Sequence, residues 1–330
     1  MITAMMLLAC GGSKNTHTES TVQTTAVGPV FSADSAFLFC QQQCDFGPRT
    51  MNSEAHEQCA QWIARKFSQY GMEVTLQKAD LRGYDGTLLK STNIMAAYKP
   101  EQKERIMLCA NWDSRPWADN DLDENNHRKP VMAANDGASG VAVMLEVARL
   151  LGSQDAQDTL SSLGIGVDFI CFDAEDWGTP QWAESHGSDG DTWALGAQYW
   201  AEHYNHHDEA HIRYGILLDM VGGQGAHFYQ EGVSLLYASD VVKKVWNAAE
   251  TIGYGSLFPK DEGGAITDDH LPVNRIAKIP CIDIIPYYPD CEASSFGPTW
   301  HTVSDDMQHI DKNTLQAVGQ TLIQVLYSEQ

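Results

Sequence analysis

Three short apolar runs in this chain each end in acidic residues, and that recurrence limits the fold more than any other feature. Ile106–Ala110 leads into Asn111-Trp112-Asp113, Ile165–Phe172 into Asp173-Ala174-Glu175-Asp176, and Gly215–Leu218 into Asp219. Runs this short and this apolar suit strands in the middle of a largely parallel sheet. In open α/β sheets, ligands bind outside the carboxyl ends of the strands. Carboxylates delivered there by separate strands converge on one crevice, where like charges must share protons or meet a cation. A metal satisfies them most simply.

The remaining pattern alternates strands and helices. Asn52 or Ser53 caps a helix with apolar residues Ala55, Cys59, Trp62, Ile63, Phe67 and Tyr70, and Gly71 stops it. Met72, Val74 and Leu76 alternate as a half-buried strand; Asn93–Tyr98 and Cys281–Ile285 read as further strands. Val141–Leu151 is apolar nearly all round, as a buried helix would be. Ser239 is expected to cap a helix carrying Val241, Val242, Val245, Trp246, Ala249 and Ile252, and Asp311 to cap the last helix. With no internal repeat, residues 36–330 read as one α/β domain: a central, mostly parallel, twisted sheet flanked by helices.

Composition narrows the function classes. The 330 residues are 43% hydrophobic and 9% aromatic, enough core-forming material to exclude general disorder. No stretch approaches the ~18 apolar residues of a bilayer span. Against 44 Asp and Glu stand 21 Lys and Arg, a net charge of −23 that repels phosphate backbones and argues against nucleic acid as a partner. Leu7-Leu8-Ala9-Cys10 resembles a bacterial lipobox. It implies a signal segment over residues 1–9, here short and without a basic start, and a lipid anchor at Cys10. Residues 10–35 would be a flexible tether, placing a lipoprotein in the bacterial cell envelope, facing the periplasm, with the anchor as its only membrane attachment. Cys109, Cys171 and Cys281 lie in apolar runs as small hydrophobes. Cys40, Cys44, Cys59 and Cys291 lie outside them, so an exported protein has room for one or two disulfides there.

Several chemistries drop out for want of their motifs: there is no G-x-S-x-G elbow, no phosphate-binding P-loop and no H-E-x-x-H helix. What remains is scattered: Asp136 in Asn135-Asp136-Gly137-Ala138-Ser139-Gly140, the Glu175-Asp176 pair, Asp219, Asp268-Asp269-His270, and Trp300-His301-Thr302. A catalytic zinc takes three protein ligands and keeps a fourth position open. Taken singly, each residue has a plain alternative: a turn residue, a solvated acidic pair, a structural histidine. The tryptophans Trp112, Trp117, Trp177, Trp182, Trp193 and Trp200 flank the motif loops and suit pocket walls. His203, His206, His207 and His211 read as solvated surface.

The order of these motifs resembles the zinc aminopeptidase superfamily (peptidase family M28-like) and, within it, the animal-type glutaminyl cyclases. Asp136-Gly137-Ala138-Ser139-Gly140, Asp173-Ala174-Glu175-Asp176, Leu217-Leu218-Asp219, Asp268-Asp269-His270-Leu271-Pro272 and Trp300-His301-Thr302-Val303-Ser304-Asp305 carry the resemblance. It implies a zinc-aminopeptidase-like fold and one zinc ion per chain, held by Asp136, Asp176 and His301. It further implies Glu175 as acid/base with Asp219 and Asp268 beside it, and a substrate pocket lined by Trp300 and Phe296. Substrates would be peptides or proteins with N-terminal glutamine, converted to pyroglutamate with release of ammonia. Two departures stand out. Asp176 and Asp283 occupy positions where the animal enzymes have Glu and His. Two-zinc aminopeptidases use His-x-Asp where this chain has Asn111-Trp112-Asp113, and an amide is a poor zinc ligand beside imidazole. A zinc aminopeptidase, or an inactive lipid-anchored binding protein on the same fold, are the competing expectations.

Overall fold

A computed structural model describes residues 26–153, 165–183, 192–205 and 210–329. The signal segment, Cys10, His206 and His207 lie outside the described residues. Six strands form one sheet: β1 (Glu73–Arg82), β2 (Leu88–Tyr98), β3 (Glu104–Asn111), β4 (Ile165–Phe172), β5 (His211–Leu218) and β6 (Cys281–Ile284). Their order is β1-β2-β4-β3-β5-β6. The pairs β1/β2 and β2/β4 are antiparallel, whereas β4, β3, β5 and β6 run parallel. This is the single α/β domain with a mostly parallel sheet that the apolar runs predict. Because the four parallel strands point the same way, Asn111, Phe172, Leu218 and Ile284 end at one edge of the sheet.

Helices flank the sheet: α1 (Ala33–Cys44), α2 (Glu54–Gln69), α3 (Ala138–Leu151), α4 (Leu195–Glu202), α5 (Gly232–Thr251), α6 (His270–Arg275) and α7 (Lys312–Tyr327), with α1 and α7 packed against α3. The Ser53 hydroxyl accepts from His56 N to cap α2, Gly71 follows at a φ of 82°, and Asp311 caps α7. Nearly every residue of α3 is buried, matching its unbroken apolar sequence. Gly140 lets it approach β3 and β5: an added Cβ would lie 2.2 Å from Leu218 O and 2.8 Å from Ala110 Cβ.

Three expectations need correction. Chain order begins before residue 36. Val27 N and Phe31 N donate to Gln324 Oε1 and Gln320 Oε1 of α7, Ala33 N donates to Gln316 Oε1, and Phe31 is 1% exposed. The helix expected to start at Ser239 instead starts at Gly232, with Glu231 as its cap. A break at Ala238 (φ −143°, ψ 39°) separates the first turns from the part the sequence pattern revealed. Among the described residues all seven cysteines are free thiols. Cys40 and Cys44 sit one turn apart on α1, and Cys40 Sγ donates to Ala134 O.

Gly140→Ala should lower the unfolding free energy by about 1–3 kcal/mol or more through overpacking between helix and sheet. Denaturant titration measures this directly.

Candidate active site

Three strand ends and two loops build the site. After β3 the chain turns through Asp113, which is fully buried and whose two carboxylate oxygens accept from Glu175 N and Asp176 N, each at 3.2 Å. After β4 the chain turns sharply at Ala174, whose φ of 53° lies in the left-handed region that L-residues rarely adopt. Met220 (φ 50°) does the same after β5. His301 (φ 54°) sits in a late loop. Such backbone costs of order 1–3 kcal/mol per residue and persists where the surroundings over-determine it. Asp305, four residues after His301, supports the remaining loop, its oxygens accepting from Asn135 N at 2.7 Å and Asp136 N at 3.0 Å.

The eight residues that the family resemblance singles out, Asp136, Glu175, Asp176, Asp219, Asp268, Phe296, Trp300 and His301, meet around one cavity of about 210 Å³. Asp136, Glu175, Asp176, Asp219, Asp268 and His301 line it on the polar side, and Trp300, Phe296, Trp193 and Ile266 on the apolar side. It is small beside the roughly 300–1,000 Å³ of drug-sized ligand sites, so it suits the end of a chain rather than its middle. Phe296 and Trp300 lie 4.8 Å apart, centroid to centroid, and His301 is stacked between Trp300 (3.8 Å) and Trp193 (5.9 Å).

Asp136, Asp176 and His301 each bring a donor atom within 4.8 Å of the others, all buried. His301 Nε2 lies 3.1 Å from Asp176 Oδ1 and 3.6 Å from Asp136 Oδ2. Tetrahedral zinc with bonds near 2.0–2.1 Å sets its ligands roughly 3.3 Å apart. Neither oxygen of Asp176 accepts a hydrogen bond, although both are buried. Burial, followed by Asp176, raises the Asp136 carboxyl to about 8; burial raises Asp176 to about 7 and lowers His301 to about 3. A neutral imidazole beside the unsatisfied Asp176 carboxylate and Asp136 Oδ2 is a donor set that fits a divalent zinc ion.

Asn111 occupies the neighbouring position. Its Nδ2 donates to Asp136 Oδ1 at 3.3 Å, so one oxygen of that carboxylate faces an amide and the other faces His301.

Glu175 is half-buried and directed to the cavity. Burial first, then Asp176 and Asp268, hold its carboxyl well above the ordinary range. Asp219 is raised by burial, then by Asp136 and Asp268. Behind Asp268, the donor atoms of Asp268, His270 and Asp283 lie within 4.8 Å of one another. Asp283 is fully buried and also raised, by burial and then by Asp268. Two carboxyls this close cannot both be charged without cost, so a proton between them is the stable arrangement. His270 Nε2 meets Glu231 Oε2 at 3.1 Å. Glu231 also accepts from Val233 N, Ser234 N, Ser234 Oγ and Ile266 N.

Several important residues carried no recognised signal in the sequence. Arg115, Asp119 and Glu231 are buried charges around the site, with an Arg-x-x-x-Asp spacing as the available clue to the first two; Asp305 stood at the end of the Trp300–Asp305 motif but without a role. Trp112 and Trp200, expected as pocket walls, are core residues instead. Trp112 is 0% exposed, stacks on His56 and donates to Thr92 O, and Trp200 packs on Phe172. Trp117, Trp177 and Trp182 form a separate aromatic cluster, leaving Trp193 as the member of that group on the cavity. His203 and His211 are exposed.

The sequence model of peptidase family M28 matches residues 93–326, and the chain belongs to that family. The structure of a Bacteroides thetaiotaomicron glutaminyl cyclase bound to N-acetylhistamine is 51% identical, with a TM-score of 0.86, covering 92% of this chain and 100% of that one. A structure described as a leucine aminopeptidase precursor from the same organism is also 51% identical, with a TM-score of 0.85, covering 93% and 100%. Among curated relatives, aminopeptidase YwaD of Bacillus subtilis (strain 168) is 29% identical over 268 residues, and the glutaminyl-peptide cyclotransferase of Boiga irregularis 23% over 247. These matches cover 78% and 70% of this chain; it spans 49% and 63% of those two longer relatives. The chain is an enzyme with a candidate Asp/His metal site.

Glu231 yields a stability prediction. Burial alone would raise its carboxyl, but the bonds from His270 and Ser234 hold it at about 2, below its ordinary 4.5. A depressed carboxyl stabilises the fold fully above its unfolded value, and that contribution fades as pH falls from 4.5 toward 2. Glu231→Gln should therefore cost on the order of 3 kcal/mol at pH 7. Its deficit relative to wild type should shrink below pH 4.5, as denaturant midpoints across pH will read.

Proposed function

We propose that this chain is a zinc-dependent glutaminyl-peptide cyclotransferase, converting N-terminal glutamine of peptides and proteins to pyroglutamate with release of ammonia. The observation that carries the reading is the Asn111 amide on Asp136 Oδ1. In a two-metal centre that carboxylate would bridge both ions; here its second oxygen is taken by a neutral donor that binds zinc poorly. Asp136, Asp176 and His301 would hold one zinc, which would supply Lewis acidity at the γ-carbonyl of the substrate. The 51% identity to a glutaminyl cyclase across the whole of that chain supports the same reading.

The chain's own residues do the rest. Trp300, Phe296 and Trp193 pack the apolar stem of the glutamine and limit water at the reacting carbon. Glu175 accepts a proton from the α-amino group as its nitrogen bonds to the γ-carbonyl carbon. It then returns that proton to the departing amide nitrogen as the carbon–nitrogen bond breaks, so a five-membered lactam and ammonia leave with no net proton change. Asp219 and Asp268 border Glu175 and titrate with it as a group.

Zinc-loaded protein and a Gln-initiated peptide should give loss of ammonia without shortening, scored by mass spectrometry. Glu175→Gln should lower turnover by about 10²–10⁴-fold or more while zinc stays near one per chain. The names of the aminopeptidase relatives favour a second reading, which predicts release of the first residue and two metals per chain; that outcome would overturn the cyclase proposal.

We also propose that Cys10 carries a lipid anchor that holds the enzyme in the cell envelope. Expressed in a bacterial host, the wild-type chain should incorporate labelled fatty acid and Cys10→Ser should not; equal labelling of the two rejects the anchor.

A further inference from the structure

The loop after β3 contains a buried ion pair that the cyclisation chemistry does not use. Arg115 Nε and Nη2 donate to Asp119 Oδ1 and Oδ2, each at 2.7 Å, and both side chains are 1% exposed. Dehydrating two such charges costs several kcal/mol per ion, so a fork pair placed here calls for a reason beyond stability. Its other contacts supply one. Arg115 Nη1 donates to Asp176 O at 3.0 Å and Gly178 O at 3.5 Å, and lies 3.5 Å from Asp176 Oδ1. The guanidinium faces the Trp193 ring at 4.7 Å, on the cavity wall. Asp119 Oδ1 lies 3.6 Å from His301 Nδ1, behind the imidazole whose Nε2 faces Asp176 and Asp136. Asp119 Oδ2 also accepts from Gln181 N, tying the loop after β4 to the same carboxylate.

We infer that Arg115 and Asp119 are positioning residues for the zinc ligands, an inference that rests on the single-zinc reading above. Asp119 draws the His301 proton to Nδ1 and leaves the Nε2 lone pair available to a zinc shared with Asp136 and Asp176, as carboxylates behind metal-bound imidazoles do. Arg115 holds Asp176 by its carbonyl while Asp113 holds it by its N–H. The residue is thus fixed from both sides, which sets how far its short side chain reaches toward His301. The pair bonds the carbonyl oxygen of one proposed ligand and backs the imidazole of another, so its loss should register in metal affinity rather than only in folding.

Chelator competition on the full chain tests this. Asp119→Asn should weaken zinc binding by about 10–100-fold and lower kcat more than it raises KM. Arg115→Lys, which keeps the charge but loses the fork, should weaken zinc binding less than Arg115→Gln does. A change below about twofold in Asp119→Asn, well under that range, overturns the inference while leaving the zinc reading intact. A wild-type chain that takes up no zinc overturns the zinc reading itself. Nitrogen-15 NMR of histidine in the zinc-loaded wild type needs no variant: His301 bound through Nε2 with a proton on Nδ1 supports the inference, and the opposite tautomer refutes it.

Discussion

Like charges forced together out of water govern the whole carboxyl edge of this sheet. Asp136, Glu175, Asp176, Asp219, Asp268 and Asp283 come from different strands and loops and raise one another's proton affinity. Such a set is tolerable only when each member has a proton, a cation or several donors. The structure distributes these remedies by position. Asp305 and Glu231, at the periphery, receive backbone N–H groups. Asp268 and Asp283 lie close enough to share a proton. Asp136 and Asp176, at the centre, are left with oxygens that fit a metal.

Left-handed turns make that distribution possible. Ala174 and Met220 reverse the chain directly after their strands, so the acidic side chains beside them enter the cavity rather than continuing along the sheet. The strain is offset by the deep burial of the strands behind: Ile106, Leu108, Phe169, Ile216 and Ile284 are all 0% exposed. Rigid strands thus position a polar cluster that would scatter if it were borne on free loops.

The parallel core and the convergence of Asp136, Asp176 and His301 were legible because both leave one-dimensional traces. Apolar runs bounded by acids mark strand ends, and Asp136, Glu175-Asp176 and Trp300-His301 stand in motifs. Other parts leave no such trace. In α1 the apolar residues are mixed with glutamines, and only the Ser32 cap hints at its start. The front of α5 was hidden by the break at Ala238, since a helical pattern cannot be followed across non-helical backbone. The roles of Arg115 and Asp119 depend on side chains brought near them by β4 and by the late loop, and no local spacing encodes those neighbours. Trp112 and Trp200 show the converse: closeness to a motif along the chain is not closeness to the cavity.

The three glutamines of α7 that receive Val27, Phe31 and Ala33 have a mechanical consequence. Spaced at 316, 320 and 324, they follow one stripe of the helix and fasten the incoming segment along it. Tension applied upstream of Val27 is therefore borne by the final helix and the helices packed against it. Whatever the preceding residues attach to, the mouth of the cavity keeps a set bearing relative to the point where the chain enters the fold.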